Sequence, residues 1–104
     1  MSGYRLSPVA DSRLDEIYNH MRARWGDAQA ERYVRGLFEC FQAIADRRLP
    51  WRAIPAELEI DGHYCRYERH FIYWVEKADG TIGISTILHE RMHQIERFRG
   101  DMRG

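Results

Sequence analysis

The sequence predicts an α+β fold: a strand, a helical hairpin, then a three-stranded antiparallel meander, with the helices packed on one face of the sheet. Three observations carry this. Two amphipathic stripes at three- and four-residue spacing lie back to back between residues 8 and 45. Aromatic and β-branched residues dominate from His63 to Leu88. Asp79-Gly80 stands where a hairpin turn is needed. The chain has 104 residues, which is room for one domain over 1–104.

Tyr4-Arg5-Leu6-Ser7 alternates apolar and polar residues and reads as a short strand. Ser7-Pro8 is a helix start, with Ser7 as N-cap and Pro8 at the first helical position. Leu14, Ile17, Tyr18, Met21 and Trp25 form one apolar stripe, which Gly26 ends. Asp27 is expected to cap a second helix. Its stripe runs through Ala30, Tyr33, Val34, Leu37, Phe38, Phe41, Ile44 and Ala45, about five turns. So short a connection makes the two helices antiparallel neighbours. The aromatics Tyr18, Trp25, Tyr33, Phe38 and Phe41 read as hairpin core.

Leu49-Pro50 stops the second helix, and residues 49–62 read as a loop with room for a short extended piece. Tyr64 to Glu68, His70 to Glu76 and Thr81 to Leu88 read as strands. Ile82, Ile84, Thr86 and Leu88 are expected on one face of the last strand, and Phe71, Tyr73 and Val75 on one face of its neighbour. Nothing then remains to cover the other sheet face. Ile72, Trp74 and Ile87 are expected there beside Arg66, His70 and His89, as a partner surface of apolar anchors ringed by Arg. The tail from Glu90 to Gly104 is short and charged, with Met92, Ile95 and Phe98 at helix-like spacing.

Apolar residues make up 44% of the chain and charged ones 31%, a globular composition. No apolar run approaches the roughly 18 residues of a membrane span, and MSGYRLSP has no signal-type apolar stretch. A cytoplasmic location without membrane association is expected. Cys40 and Cys65 are too few for a disulfide framework or a four-cysteine zinc site and read as buried small apolar groups. Sixteen acidic residues balance sixteen basic ones, which argues against nucleic-acid binding driven by overall charge. No sequence-specific nucleic-acid binding by the chain alone is expected. All the basic residues but Lys77 are Arg, which suits planar, bidentate contacts with carboxylate or phosphate.

His89-Glu90-Arg91-Met92-His93 matches H-E-x-x-H, the spacing that puts two zinc-binding imidazoles on one helix face. Here His89 directly follows a strand ending at Ile87-Leu88, so the two rings do not share a helical face. No metal or other cofactor is expected. Metal-free RNA cleavage needs a base, an acid and a cation. Arg66, Arg69, His70, Tyr73, His89 and Arg91 are of the right types, and Glu57 adds a carboxylate. Nothing in their spacing singles out a catalytic set, and none is assigned. Arg22, Arg24, Arg32 and Arg35 lie on the outer faces of the hairpin, where they either keep it soluble or bind an acidic partner segment. His20 is placed at the surface with no role.

YRLSPVADSRLDEIYNHMRARWG resembles the start of ParE-type toxins of bacterial toxin–antitoxin systems. The similarity continues through DAQAERYVRGLFECFQAIA and RYERHFIYWVEKADGTIGISTILHERM, from about Tyr4 to Met92. The combined pattern is strand, S-P, helix, W-G, helix, aromatic strand and I-L-H-x-R-M. It accounts for His89, Arg91 and Met92 without zinc. The resemblance implies the RelE/ParE superfamily fold and a toxin held inactive by a small cognate ParD-like antitoxin. The antitoxin's C-terminal segment would fold on binding and wrap the hairpin and sheet.

ParE members with an assigned target act on DNA gyrase, whereas RelE members cut messenger RNA on the ribosome. RelE-like nucleases resemble one another in an Arg just before the apolar-apolar-Tyr of the middle strand; this chain has His70 there. Their basic tail ending in Tyr or His is replaced by HQIERFRGDMRG. The resemblance therefore implies a non-enzymatic gyrase inhibitor, with a RelE-like messenger RNA endoribonuclease as the alternative and an inactive antitoxin-binding member as the minor one. Target poisoning is assigned to His89, Glu90, Arg91 and Met92. Antitoxin contact is assigned to Trp25, Arg32 and Arg35 on the hairpin and to Arg66, Ile72 and Trp74 on the sheet. As such an anchor, Trp74→Ala is expected to weaken antitoxin binding by more than about 1 kcal/mol in a titration.

Overall fold

The serine–proline pair sets the entry into the first helix, as its chemistry predicts. The computed structural model describes residues 3–56, 60–92, 97, 100 and 101. β1 (Tyr4–Leu6) ends at Ser7, whose hydroxyl accepts the Ala10 N–H at 3.0 Å and donates to the Ser85 carbonyl at 2.7 Å. One side chain thus caps α1 (Pro8–Trp25) and ties its start to the last strand. Gly26, at φ 93°, both ends α1 and opens α2 (Asp27–Ala45). Asp27 is therefore the first helical residue rather than the cap. The chain reverses through a backbone conformation that only glycine adopts without strain. Beyond Ala45 the helix is broken by Arg47, left-handed at φ 57°, before Leu49-Pro50 is reached.

Four strands complete the sheet: β2 (Arg52–Ala53), β3 (His63–Tyr67), β4 (His70–Glu76) and β5 (Ile82–His89). Their order is β1-β5-β4-β3-β2, with β1 parallel to β5 and all other pairs antiparallel. This is the expected α+β architecture, with the hairpin laid on one face. β3 starts one residue earlier than expected because His63 pairs with Ala53 and Trp74. It also stops earlier, since Glu68 is left-handed at φ 48° and belongs to the turn. β5 begins one residue later and runs on to His89, opposite His70. No helix among the described residues is long and apolar enough to cross a membrane.

The phase of the sheet differs from the expectation. Ile72, Trp74 and Ile87, expected on an uncovered face, are no more than 1% exposed. They pack with Ile82 and Ile84 against Leu14, Ile17, Leu37, Phe41 and Ile44 of the hairpin. For Ile87 the cause is a β-bulge in β5: Trp74 pairs with Ile84 and Tyr73 with Thr86, so Ser85 is the extra residue, whereas β4 alternates regularly and simply turns Ile72 and Trp74 to the hairpin. Ile84 and Ile87 then point the same way. Thr86 and Leu88 turn to the opposite face, where Tyr73, Leu88 and Ile54 form a second cluster backed by Ile60, Tyr64, Phe71 and Met92. Ile54 and Ile60, between β2 and β3, lie against that face. Arg66, expected beside His70 and His89, lies on it over the Phe71 ring.

Trp25 and Phe38 are also corrected, being 60% and 38% exposed rather than core. Trp25 is the last residue of α1, and Phe38 is one position off the Leu37–Phe41–Ile44 stripe that meets the sheet. Because Trp74 is wholly buried, Trp74→Ala is expected to lower folding stability by about 3–5 kcal/mol in urea denaturation. An unchanged midpoint would contradict its placement. At Gly36 on α2, an added Cβ would stand 1.9 Å from the Tyr67 hydroxyl. Gly36→Ala is thus expected to destabilise by about 1–3 kcal/mol despite alanine's better helix propensity. In a Tyr67→Ala background that penalty should vanish, as a double-mutant cycle would read.

Candidate functional site

A groove of about 830 Å³ lies where the turn of the hairpin faces the end of the sheet. α1 contributes His20, Met21, Arg24 and Trp25 to one wall, and α2 contributes Gln29 and Tyr33. These α1 positions recur at helical spacing, so a single face of its last two turns borders the groove. The opposite wall is the sheet end: Arg69 of the β3–β4 turn, His70 at the start of β4, His89 at the end of β5, then Arg91 and Met92. Ile17 and Ile87 form an apolar floor.

A buried polar pair lies between floor and wall. Tyr33 and His70 are 8% exposed each, and the phenol oxygen is 2.6 Å from His70 Nδ1. The Arg69 backbone N–H is also bonded to the phenol oxygen. Burial pushes the Tyr33 hydroxyl up to about 12, so it stays protonated at neutral pH. Burial first, then the neighbouring His89, pulls the His70 imidazole down to about 4. His70 is therefore neutral. Its ring meets the His89 ring edge-on, with centroids 5.1 Å apart. His89 Nδ1 accepts the Arg91 N–H at 3.1 Å, so that nitrogen too is engaged within the chain.

The charges around the groove are unevenly paired. Glu90 holds Arg66 and Arg69 with its side chain, and its N–H donates to the Arg69 carbonyl at 2.8 Å. Arg13 is clamped by Asp101, with Nη2 2.8 Å from Oδ1, and Thr86 donates to the same carboxylate at 2.7 Å. Arg13 also reaches Glu16. Arg24 lies 5.4 Å from the Trp25 ring centroid. Neither Arg24 nor Arg91 is ion-paired with a carboxylate among the described residues.

The groove gathers some of the sequence-derived candidates and scatters others. Trp25, assigned to the antitoxin, and His89, Arg91 and Met92, assigned to the target, line the same cavity. Glu90 stands outside it as the clasp of the β3–β4 turn. Arg32 and Arg35 are on the exposed side of α2, and Arg66 is on the far sheet face. Ile72 and Trp74 are core and present no surface to a partner. Of the residues weighed for RNA cleavage, Arg69, His70, His89 and Arg91 share the groove, whereas Arg66 and Tyr73 face away. Glu57 and His93 lie outside the described residues. His89 ends a strand and residues 90–92 form a turn, so that part of the H-E-x-x-H match is not helical. Among the described residues no group of three or more His, Cys, Asp or Glu is placed to hold a metal ion. Cys40 and Cys65 are half-buried free thiols, both raised by burial.

Sequence reading missed Tyr33 and His20 as groove residues. The 20/24 and 21/25 spacings on α1 carried a signal for His20 and Met21. Tyr33 and His70 are 37 residues apart, and nothing local announces their pairing.

Fold and groove together define a small α+β domain with a recessed apolar floor and a cationic rim. Residues 4–94 match the family model described as ParE toxin of type II toxin-antitoxin system, parDE. The chain is similar to Toxin ParE of Escherichia coli, at 29% identity over 104 residues and 100% of both chains. Toxin ParE1 of Mycobacterium tuberculosis is 34% identical over 93 residues, 88% of this chain and 92% of the relative. Toxin ParE1 of Caulobacter vibrioides is 31% identical over 94 residues, 89% and 94% of the two chains. A solved chain from the chromosomal ParDE TA system of P. aeruginosa shares the fold, with a TM-score of 0.69 over 86% of this chain and 96% of that one at 19% identity. This chain belongs to the ParE toxin family of type II toxin–antitoxin systems.

The buried His70 makes stability depend on pH. The folded chain keeps the ring neutral down to about pH 4, whereas an unfolded chain protonates it below about 6.5. Its contribution is therefore complete above pH 6.5 and is lost as pH falls toward 4, on the order of 3 kcal/mol in all. An NMR titration of the His70 ring should show a midpoint near 4. A midpoint near 6.5 would contradict its burial.

Proposed function

We propose that this chain is a cytoplasmic toxin that inhibits DNA gyrase by binding rather than by cleaving a substrate, and that a cognate ParD-like antitoxin neutralises it. Family membership supports the toxin half of this reading. The observation that favours binding over cleavage is the state of the groove histidines. His70 is buried and neutral with Nδ1 bonded to Tyr33, and its pKa of about 4 is far from that of a proton shuttle at neutral pH. His89 spends Nδ1 on the Arg91 backbone. The target-contact set is His89, Arg91 and Met92, with Glu90 holding the turn that presents them. Trp25 is the antitoxin anchor, with Arg32 and Arg35 on the neighbouring face of the hairpin. Arg66 lies on the other sheet face, ion-paired with Glu90, apart from these hairpin residues. The co-location of Arg69, His89 and Arg91 keeps a RelE-like ribonuclease as the second reading.

The test is a supercoiling and cleavage assay with gyrase from the source organism and a folded, antitoxin-free chain. Loss of supercoiling with trapped linear DNA is the expected result. Unaltered supercoiling together with messenger RNA cleavage on ribosomes would transfer the chain to the second reading. Neither activity would mark it as an inactive antitoxin binder.

A further inference from the structure

We infer that a second cavity, at the junction of β1, the start of α1 and the bulge of β5, is a binding site for a small phosphate monoester. It shares no lining residue with the hairpin groove and stands whether or not the toxin reading above holds. The cavity has a volume of about 530 Å³, within the range of small-molecule sites. Donors of three kinds converge on it. The first is Ser85, the extra residue of the bulge, which is 9% exposed and lines the cavity. Its carbonyl is taken by Ser7, but its hydroxyl has no hydrogen bond among the described residues. A hydroxyl so buried and unpartnered is uncommon, and a bulge is a device that re-aims a strand residue. The second is the first turn of α1. Pro8 has no N–H, and those of Ala10 and Asp11 go to the hydroxyl and carbonyl of Ser7. Val9 therefore carries the unspent N–H at the positive end of an 18-residue helix, and it lines the same cavity.

The third is a pair of cations. Arg5, Gly83 and Val75 sit side by side on β1, β5 and β4. Glycine at 83 leaves room above the sheet, and the Lys77 chain fills it: a Cβ at 83 would stand 2.9 Å from Lys77 Cε. The only lysine of the chain is thus folded back over β5, one strand from Arg5. Neither Lys77 nor Arg5 is ion-paired with a carboxylate among the described residues. Asp101, the carboxylate in the lining, is already bonded to Arg13 and Thr86. Asp79 of the β4–β5 turn lies in the field of Arg5 without an ion pair, and its Oδ1 accepts the Thr81 N–H at 2.9 Å. A guanidinium fork, an ammonium, a hydroxyl and a helix N-terminus together suit a doubly charged phosphate group. A carboxylate has half the charge and leaves one cation unmatched. Pro8, Val9 and Val75 give an apolar side for the body of the ester. A nucleic-acid strand fits less well, since two cations neutralise too few phosphates to hold a backbone. The donors are fixed beforehand, because Ser7 caps α1 while bonding to the Ser85 carbonyl.

The experiment is an amide NMR titration of the full chain in phosphate-free buffer at physiological salt, with phenyl phosphate as the probe. Phenyl phosphate is expected to shift the Val9, Gly83 and Ser85 amides with a dissociation constant of about 1 mM or tighter. Benzoate, its carboxylate counterpart, should bind at least tenfold more weakly, and inorganic phosphate, which lacks the apolar body, at least threefold. Arg5→Gln and Lys77→Gln should each weaken the probe at least tenfold, and Ser85→Ala at least threefold. Gly83→Ala keeps both cations but fills the seat of the Lys77 chain, and should weaken it at least fivefold. Arg52→Gln, exposed on β2 at the other edge of the sheet, should change nothing. Circular dichroism checks folding; Arg5 and Lys77 are exposed, and the Ser85 hydroxyl holds nothing in the fold. No shift at these amides, equal affinity for benzoate, or an equal loss in Arg52→Gln would overturn the site. Binding that survives both Ser85→Ala and Gly83→Ala unchanged would do the same, as an effect of surface charge only. Inorganic phosphate binding as tightly as the probe would overturn the ester and give the site to the free ion. A short DNA duplex that shifts the same amides at lower concentration than phenyl phosphate would overturn the small molecule in favour of a nucleic-acid surface.

Discussion

The structure depends on one extra residue in one strand. The hairpin needs an apolar bed along the full length of β5, and a regular strand cannot place both residue 84 and residue 87 on the same face. The bulge at Ser85 does this, and the bed becomes Ile82, Ile84 and Ile87. Ser7 bonds to the carbonyl of that bulged residue while capping α1, so the irregularity in the sheet and the start of the helix are held by the same hydroxyl. Trp74 and Ile72 of β4 fill the space between, wholly excluded from water. The phase of β5 beyond the bulge and the seating of the hairpin on it follow from that arrangement.

The groove lies where the turn of the hairpin, α1 ending at Trp25 and α2 beginning at Asp27, faces the start of β4 at His70 and the end of β5 at His89. The polar groups at the sheet end are drawn inward: His70 is buried under the hairpin and is kept neutral by that burial first and by the neighbouring His89 second. Glu90 gathers Arg66 and Arg69, which pins the β3–β4 turn to the end of β5. Arg13 is held in the same way by Asp101. Most of the charge in this part of the molecule is therefore committed to the fold. What stays available is the small cationic and apolar set that gives the groove its binding character.

Several features of this protein were legible in its residues because they are local. The N-cap and first-turn proline at Ser7-Pro8, the glycine reversal at Gly26 and the Asp79-Gly80 turn each act over a few residues. The hairpin stripes and the β texture after His63 set the order of elements. The ParE resemblance, read from about Tyr4 to Met92, coincides with the family match over residues 4–94. The candidate site was only partly legible. His89, Arg91, Met92 and Trp25 were singled out, but as parts of two separate surfaces. Ile72 and Trp74 were misplaced because alternation assigns residues to two faces without saying which face the helices cover.

The elements and their order were legible in the residues because caps, turns and periodic stripes are settled by neighbours along the chain, and the family through the resemblance of its motifs. Which sheet face is core was settled on folding, since alternation leaves the choice of face open in β4 and a single bulged residue reverses the phase beyond it in β5. Only the tertiary structure decided that the two sets of candidate residues meet in one groove. Contacts such as Tyr33 with His70 or Arg66 with Glu90 join positions 37 and 24 residues apart, and no local pattern can specify them before the helices have docked.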